Sequence, residues 1–149
     1  MEIETIEKRD YDHWGLTVFI FDGCEYAIAT SEEEADDAAK QYIQESLWAF
    51  NTDFIIDHSK LPYEAAEMIK TFQAAKCEDA NDTIAALIED IDEFVKDAIS
   101  ADGRGHFLSP YDSNEISLTD VDFKFWGQVL GALGLSTKDK DNLLLYRIN

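Results

Sequence analysis

The side chains best suited to chemistry are concentrated in the segment ADGRGHF, where Asp102, Arg104 and His106 alternate with two glycines. A guanidinium binds a carboxylate or phosphate bidentately, and an imidazole acts as a general base near neutral pH. Flanking glycines let backbone N–H groups approach a ligand closely. The segment therefore predicts a ligand or catalytic site, with Asp112 as a further carboxylate, although it matches no phosphate-binding glycine motif.

The same segment also has a purely structural interpretation. Gly103 stands where a helix rich in acidic residues would end, and glycine is the usual residue at that position. Arg104 would then pair with acids of neighbouring helices, and His106 would form a hydrogen bond within a turn. The sequence alone leaves both interpretations open.

The other candidates for metal binding or nucleophilic catalysis are scattered along the chain. The histidines lack the spacing of a metal motif, and they stand at His13, His58 and His106. The turn formed by Asp112, Asn114 and Glu115 suits either weakly held Ca²⁺ or an ordinary Asx turn. Cys24 and Cys77 have no base beside them in the sequence, which predicts plain thiols in a reducing cytoplasm. We therefore expect no metal and no cofactor.

The charge of the chain is strongly negative. Its 149 residues include 32 acidic and 12 basic ones, which gives a formal net charge of −20. Between Ser31 and Ser100 there are 18 acidic and 5 basic residues, so this stretch holds an excess of 13 negative charges. Such a field repels nucleic acids and anionic membranes, and it attracts cations or a protein with a basic surface. Solubility alone is the alternative explanation.

Acidic side chains repeated along helices predict a partner-binding surface. Carboxylates at helical spacing can imitate the phosphates of duplex DNA, which carries one charge per about 1.7 Å of axis. One aromatic residue is added because Trp is common at binding hot spots. The candidate residues are Glu32, Glu33, Asp36, Asp37, Glu89, Asp90, Glu93, Asp97 and Trp48. Solvated helix faces, and a helix buried on two sides around Trp48, are the structural alternatives.

The elements that must position these residues begin with a hairpin. Two β-rich runs, 16–21 and 24–30, flank Asp22-Gly23, a dipeptide typical of a type I′ turn. An earlier edge strand is expected from Glu2 to Arg9. A capping-box spacing at Thr30 or Ser31 then predicts the first helix.

Three more helices follow in the central part of the chain. The segment DFIID predicts a short helix, and Pro62 is well placed as the first residue of the next one. The clearest pattern is a helix capped by Asn81, with a continuous apolar face from Ile84 to Ile99 and an end at Gly103.

The C-terminal part alternates strands with one weak helix. NEISL and NLLLYRIN are expected to be strands, and DVDFKFWGQVLGALGLSTKDKD between them to be a short helix with loops. Exposed aromatic surface from FKFWGQVLGALGL would allow a homodimer. We predict an α+β fold, in which a small antiparallel sheet, made of the N-terminal hairpin plus the C-terminal strand, packs against three to four helices. Residues 1–149 are expected to form a single domain. No apolar run is long enough to span a membrane and no signal peptide is expected, which favours the cytoplasm.

Three segments carry a resemblance to a known group of proteins. EYAIATSEEEADDAAKQYIQESLWAFN, ADGRGHFLSPYD and the terminal YRIN resemble small acidic proteins encoded by bacteriophages and related mobile elements. The resemblance spans Glu25 to Glu115 plus the last residues, and it assigns no catalytic or binding residues. It implies a protein acting in an infected bacterial cytoplasm, where small acidic proteins block host defence.

These observations favour a non-enzymatic protein that binds a basic host protein, such as a nucleic-acid-handling enzyme. An anti-restriction or anti-CRISPR inhibitor, or a DNA mimic, fits that description. The alternatives are a small enzyme or ligand-binding protein that uses Asp102, Arg104 and His106, and a phage structural or assembly protein.

Overall fold

The computed structural model describes residues 6–118 and 123–149, with side chains in the last helix described from Trp126 onward. The chain divides into two compact units. The sheet unit comprises the residues up to Ala39 and those from Asp102, and the helical unit comprises Lys40–Ala101. The expectation of a single domain stays a prediction.

The described residues of the sheet unit form five antiparallel strands: β1 (Glu7–His13), β2 (Leu16–Phe21), β3 (Cys24–Ala29), β4 (Ile116–Ser117) and β5 (Leu144–Arg147). Their order in the sheet is β1-β2-β3-β5-β4. Because β5 pairs with β3, the C-terminal strand joins the N-terminal hairpin. The predicted α+β fold with an antiparallel sheet is thereby confirmed.

The predicted hairpin between β2 and β3 is confirmed in position and register. Phe21 pairs with Cys24 across the turn, and the two turn residues have φ angles of 53° at Asp22 and 75° at Gly23. Positive φ at both central positions is what a type I′ turn requires. The local sequence was therefore sufficient to predict this element.

The first strand lies later in the chain than its prediction from Glu2 to Arg9. It runs over Glu7–His13 and pairs with β2 through a second tight turn, where φ is 54° at Trp14 and 85° at Gly15. Asp12 Oδ2 accepts a hydrogen bond of 2.7 Å from the Gly15 N–H and stabilises this turn. Because most residues of this strand are charged, its sequence lacks the alternation of apolar and polar residues that indicates a strand. Charged side chains are common on strands at the edge of a sheet. Residues 2–5 lie outside the described residues.

Apolar side chains are buried on both faces of the sheet. On one face, Phe19, Ile28 and Leu145 form a core with Val129 and Leu130 of α7 (Phe123–Leu133). The opposite face buries Val18, Ala27 and Tyr146. The core therefore lies on both sides of the sheet, as the two apolar faces of the hairpin sequence indicate.

The expected exposed aromatic surface of α7 is not supported by its described side chains. Trp126, Leu133 and Leu135 pack against the same core as Val129. The periodicity of this helix is amphipathic, so its apolar residues turn toward the sheet. The side chains of Phe123 and Phe125, which belong to the same expectation, lie outside the described residues.

Seven α-helices occur in the described residues, more than the three to four expected to pack on the sheet. In chain order the other six are α1 (Glu32–Gln44), α2 (Thr52–Asp57), α3 (Ala66–Lys76), α4 (Asn81–Leu87), α5 (Ile91–Asp102) and α6 (Arg104–Leu108). Short 3-10 helices span Leu47–Ala49, Tyr63–Ala65, Cys77–Ala80 and Thr137–Asn142. The C-terminal end of α1 belongs to the helical unit.

The single long helix predicted from Asn81 to Ile99 is wrong, because the chain breaks between α4 and α5. Ile88 is extended, with φ −77° and ψ 125°, and it forms an isolated antiparallel bridge with Ser59. Asp90 Oδ1 then accepts hydrogen bonds of 3.1 and 3.2 Å from the N–H groups of Asp92 and Glu93, and so caps the start of α5. Asn81 is not a cap: its side chain bonds the Trp48 N–H and the Glu45 carbonyl.

One contact inside the sheet unit involves a titratable side chain, His13. The half-buried His13 lies 2.8 Å by its Nε2 atom from the Leu108 carbonyl oxygen at the end of α6. Burial lowers the pKa of His13 below its ordinary value, although this hydrogen bond and the charge of Asp12 act in the opposite direction.

We predict that the free energy of unfolding falls more steeply on acidification in the wild type than in His13→Gln. The imidazole of His13 binds a proton more readily in the unfolded chain than in the folded protein. The stability contributed by neutral, buried His13 is therefore fully present above about pH 6.5, and it is lost as pH falls through the lower pKa of the folded state. Urea unfolding of both proteins between about pH 5 and pH 8 measures it. Parallel pH curves for the two proteins would contradict the prediction.

Candidate functional site

The segment from Asp102 to His106 is a junction at which one helix ends and the next begins, not the loop expected from its glycines. Helix α5 ends at Asp102, and α6 begins at Arg104. Between them Gly103 has φ 83° and ψ 153°, a backbone region that is essentially restricted to glycine. The predicted helix end at Gly103 is confirmed, with an extended conformation instead of the left-handed helical one.

Gly105, the second glycine of this segment, allows the backbone of residues 113–115 to approach closely. A Cβ atom placed on Gly105 would lie 2.6 Å from the Ser113 carbonyl oxygen and 2.7 Å from the Glu115 nitrogen. Real Cβ atoms do not make such contacts with backbone, so only glycine fits here. The space that the sequence suggested for a ligand is filled by residues 113–115.

Arg104 lies at the centre of an ion-pair cluster in the sheet unit. Its Nε and Nη2 atoms contact the two carboxylate oxygens of Glu115 at 2.8 and 3.1 Å. Nη1 lies 3.2 Å from Asp36 Oδ1, and Nη2 lies 3.3 Å from Glu32 Oε1. The guanidinium side chain is only 14% exposed. Its bidentate contact and two further acids match the alternative in which Arg104 pairs with acids of neighbouring elements.

Tyr146 completes this group, which we call the Arg104 cluster: Arg104, Glu32, Asp36, Glu115 and Tyr146. The Tyr146 hydroxyl donates a hydrogen bond to Glu115 Oε1. Burial, and then this hydrogen bond, raise the pKa of Tyr146 above its ordinary value. Burial disfavours the charge of Arg104, but the hydrogen bond to Glu115 and its negative charge outweigh burial and raise the pKa of Arg104. Arg104 therefore stays charged and the Tyr146 hydroxyl stays protonated at neutral pH.

The other residues of the predicted ligand site do not join Arg104 around a common point. Asp102 and His106 are exposed, and the His106 ring packs edge-on against Phe107 at 5.0 Å between centroids. Asp112 Oδ1 accepts hydrogen bonds of 2.8 Å from the Ser109 hydroxyl and 3.0 Å from the Asn114 N–H. The oxygen-rich turn is therefore an Asx turn.

The predicted acidic surface of α1 is partly neutralised within the chain. Glu32 and Asp36 face Arg104, so two of its four candidate carboxylates are paired. Glu33 and Asp37 are exposed, and their side chains make no hydrogen bond or ion pair within the described part of the chain. Only these two retain the free charge that the sequence suggested for all four.

The candidate acids of the helical unit are all exposed but differ in their roles. Asp90 opens α5, and Asp97 Oδ2 lies 3.1 Å from His58 Nε2. Glu89 and Glu93 have exposed side chains without a hydrogen bond or ion pair to any described residue. The His58 ring packs against Phe54 and Phe94, with ring centroids 5.1 and 5.2 Å away. Asp97 therefore stabilises this unit, whereas Glu89 and Glu93 remain available.

Across the helical unit, every carboxylate is at the surface. All 13 acidic residues between Lys40 and Ala101 are exposed, against 5 lysines in the same range. The ion pairs described within this unit use only Asp92, which contacts Lys40 at 2.6 Å, and Asp97. The unit thus presents a net charge of −8 that its own side chains leave largely uncompensated.

Trp48 lies in the 3-10 helix Leu47–Ala49, after α1 has ended, and it is half-buried. It borders a groove in the helical unit with a volume of about 310 Å³. We call this the Trp48 groove, and its lining residues are Trp48, Phe50, Asn51, Thr52, Lys70, Gln73 and Ala74. Among these lining residues, Trp48 alone is one of the partner-binding residues predicted from the sequence. A polar Gln73 on the apolar stripe of Ile69 was the signal that could have indicated the groove.

The described part of the chain contains neither a cluster of metal-ligating side chains nor an apolar helix of membrane length. No group of three His, Cys, Asp or Glu side chains there is arranged to hold a metal ion. Among the same residues, every helix is too short or too polar to cross a lipid bilayer.

Comparisons of the chain with protein-family models, curated proteins and solved structures gave no match.

The Arg104 cluster makes a graded prediction for stability. Arg104→Met should lower the free energy of unfolding by about 2–3 kcal/mol, because it leaves Glu115 partly buried without its counter-charge. Glu32→Gln should cost less than about 0.5 kcal/mol, since the Glu32 side chain is 78% exposed and screened by water. Urea unfolding at neutral pH measures both. Equal stability of Arg104→Met and the wild type would show that the cluster is not a structural centre.

Two glycine substitutions should act in opposite directions. Gly105→Ala should destabilise the protein by about 2 kcal/mol or more, because its Cβ meets backbone. Gly131→Ala should stabilise it by about 0.5–1 kcal/mol, because this exposed position of α7 has open space and alanine favours the helix. Thermal and urea unfolding followed by circular dichroism measure both changes. A neutral Gly105→Ala would contradict the close approach.

Proposed function

We propose that this protein is a non-enzymatic acidic protein that binds a basic partner protein. The observation that carries the proposal is the helical unit, in which all 13 carboxylates are exposed and the described ion pairs engage only Asp92 and Asp97. A field of this sign attracts cationic proteins, speeds their association and weakens as salt is added.

A finer proposal concerns the class of partner. Glu93 and Asp97 are four residues apart on α5, which places them on one face with a rise of about 6 Å between them. These two carboxylates repeat negative charge along the helix, as phosphates do along a strand, although Asp97 also contacts His58. Glu89 adds a further exposed carboxylate just before the helix begins. This supports a nucleic-acid-handling host protein as the partner. An anti-restriction or anti-CRISPR inhibitor encoded by a phage is the corresponding biological role.

The alternative centred on Asp102, Arg104 and His106 receives no support from the geometry. Arg104 already contacts three carboxylates, so its guanidinium is not free to hold an anionic ligand. His106 is exposed beside Phe107 and has no described acid or nucleophile to activate it. An assembly role likewise finds no surface in the described residues of α7, which pack on the core. Binding through charge is the function that the exposed residues favour.

A charge-matched pair of variants tests the proposal. The test variant neutralises four free candidate acids: Glu33→Gln, Asp37→Asn, Glu89→Gln and Glu93→Gln. The control neutralises four exposed acids outside the candidate set: Glu7→Gln, Asp10→Asn, Asp22→Asn and Asp141→Asn. Both changes spare the Arg104 cluster and remove the same total charge.

We expect the immobilised wild type and control to retain basic proteins from bacterial lysate at about 0.1 M salt and to release them near 1 M, where charges are screened beyond about 3 Å. The test variant should retain several-fold less of the same proteins, identified by mass spectrometry. Failure of the wild type to retain any nucleic-acid-handling protein at low salt would refute the proposal. Equal loss by both variants would show that total charge matters and the proposed residues do not.

A further inference from the structure

The floor of the Trp48 groove is a closed hydrogen-bond network. The buried Gln73 directs its Nε2 group at the carbonyls of Leu47, Trp48 and Phe50, at 3.4, 3.0 and 2.9 Å. Its Oε1 atom accepts a 2.7 Å hydrogen bond from the Thr52 hydroxyl. These polar groups are already paired with one another, so the floor leaves few hydrogen-bonding groups available to a bound side chain.

The surface that remains in the groove is mainly aromatic and aliphatic. Trp48 and Phe50 supply the walls, with Ala74 on the side of α3. Phe50 is held from behind by Phe54 and Phe94, with ring centroids 6.0 and 5.2 Å away. Aromatic walls held in this way form a preorganised apolar site, which binds at a low entropic cost. A volume near 310 Å³ is at the lower end of ligand pockets, suited to one or two side chains.

The charges around the groove select the chemistry of its occupant. Lys70 lines the groove and disfavours a cation inside it. Two exposed carboxylates flank the lining residues along the chain. Glu67 stands one helical turn before Lys70, and Asp53 follows Thr52 directly. The helical unit as a whole has a net charge of −8. This arrangement complements a segment that is cationic along its length and apolar at one central position.

We propose that the Trp48 groove receives one large apolar side chain from a cationic segment of the partner protein. The surrounding carboxylates attract the lysines and arginines of that segment, and the groove then holds its apolar residue. The anchor decides affinity and the charges decide the rate of encounter. This inference rests on the proposed function and adds to it a defined contact point and the chemistry of the partner's sequence.

Two lysine-rich synthetic peptides, identical except for a central Phe or Ala, are the probes. Their binding is measured by isothermal titration calorimetry at low salt, and the Trp48 indole resonance reports contact with the groove. Ala74→Arg places a long side chain in the groove. Ala75→Arg is the matched control, because Ala75 is an exposed neighbour on α3 outside the lining and receives the same charge.

The wild type and Ala75→Arg should bind the Phe peptide about tenfold or more tightly than the Ala peptide, a difference of about 1.4 kcal/mol. In Ala74→Arg this preference should disappear, while the weaker binding of the Ala peptide should match that of Ala75→Arg. Equal binding of the two peptides by the wild type would overturn the groove inference and leave the charge-based function standing. Absence of binding by either peptide would overturn both.

Discussion

The ion pairs around Arg104 are the interaction on which the sheet unit depends. They connect α6 to α1 through Glu32 and Asp36, and to β5 through Glu115 and the Tyr146 hydroxyl. A guanidinium that is mostly shielded from water is tolerated only when carboxylates surround it, and here two come from α1 and the third from Glu115, far along the chain. The close approach at Gly105 places Glu115 within reach. The ion pairs of Arg104 and the close backbone packing at Gly105 therefore form together, at adjacent residues of α6.

This cluster also separates structural carboxylates from free ones. In a chain with a net charge of −20, negative residues are too numerous for their number to indicate a role. Those that contact Arg104, open α5 or pair with His58 stabilise the fold. Others, such as Glu33, Asp37, Glu89 and Glu93, are exposed without a described intramolecular partner. Carboxylates of this second class can change partner at the least cost in folding stability, which is why the proposed binding rests on them.

The helical unit has its own buried polar centre in Gln73. By pairing with the carbonyls of the Leu47–Ala49 turn and its neighbours, Gln73 holds the chain where α1 has ended and keeps Trp48 beside α3. A buried amide without these partners would be costly, so the turn and the groove form together. The groove is thus a consequence of folding as well as a candidate contact, and its aromatic walls are positioned before any partner arrives.

The sequence by itself determined the features that arise from local preferences: the β2–β3 hairpin at Asp22-Gly23, the mixture of strands and helices of an α+β fold, the helix end at Gly103 and the excess of negative charge. These depend on backbone conformation and on short periodicities, which neighbouring residues specify. The tertiary structure decided the break at Ile88, the pairing of Arg104 with three acids and the burial of Gln73. Each of these joins residues far apart in the chain, and an acidic sequence with many equivalent carboxylates does not indicate which of them will meet a given arginine.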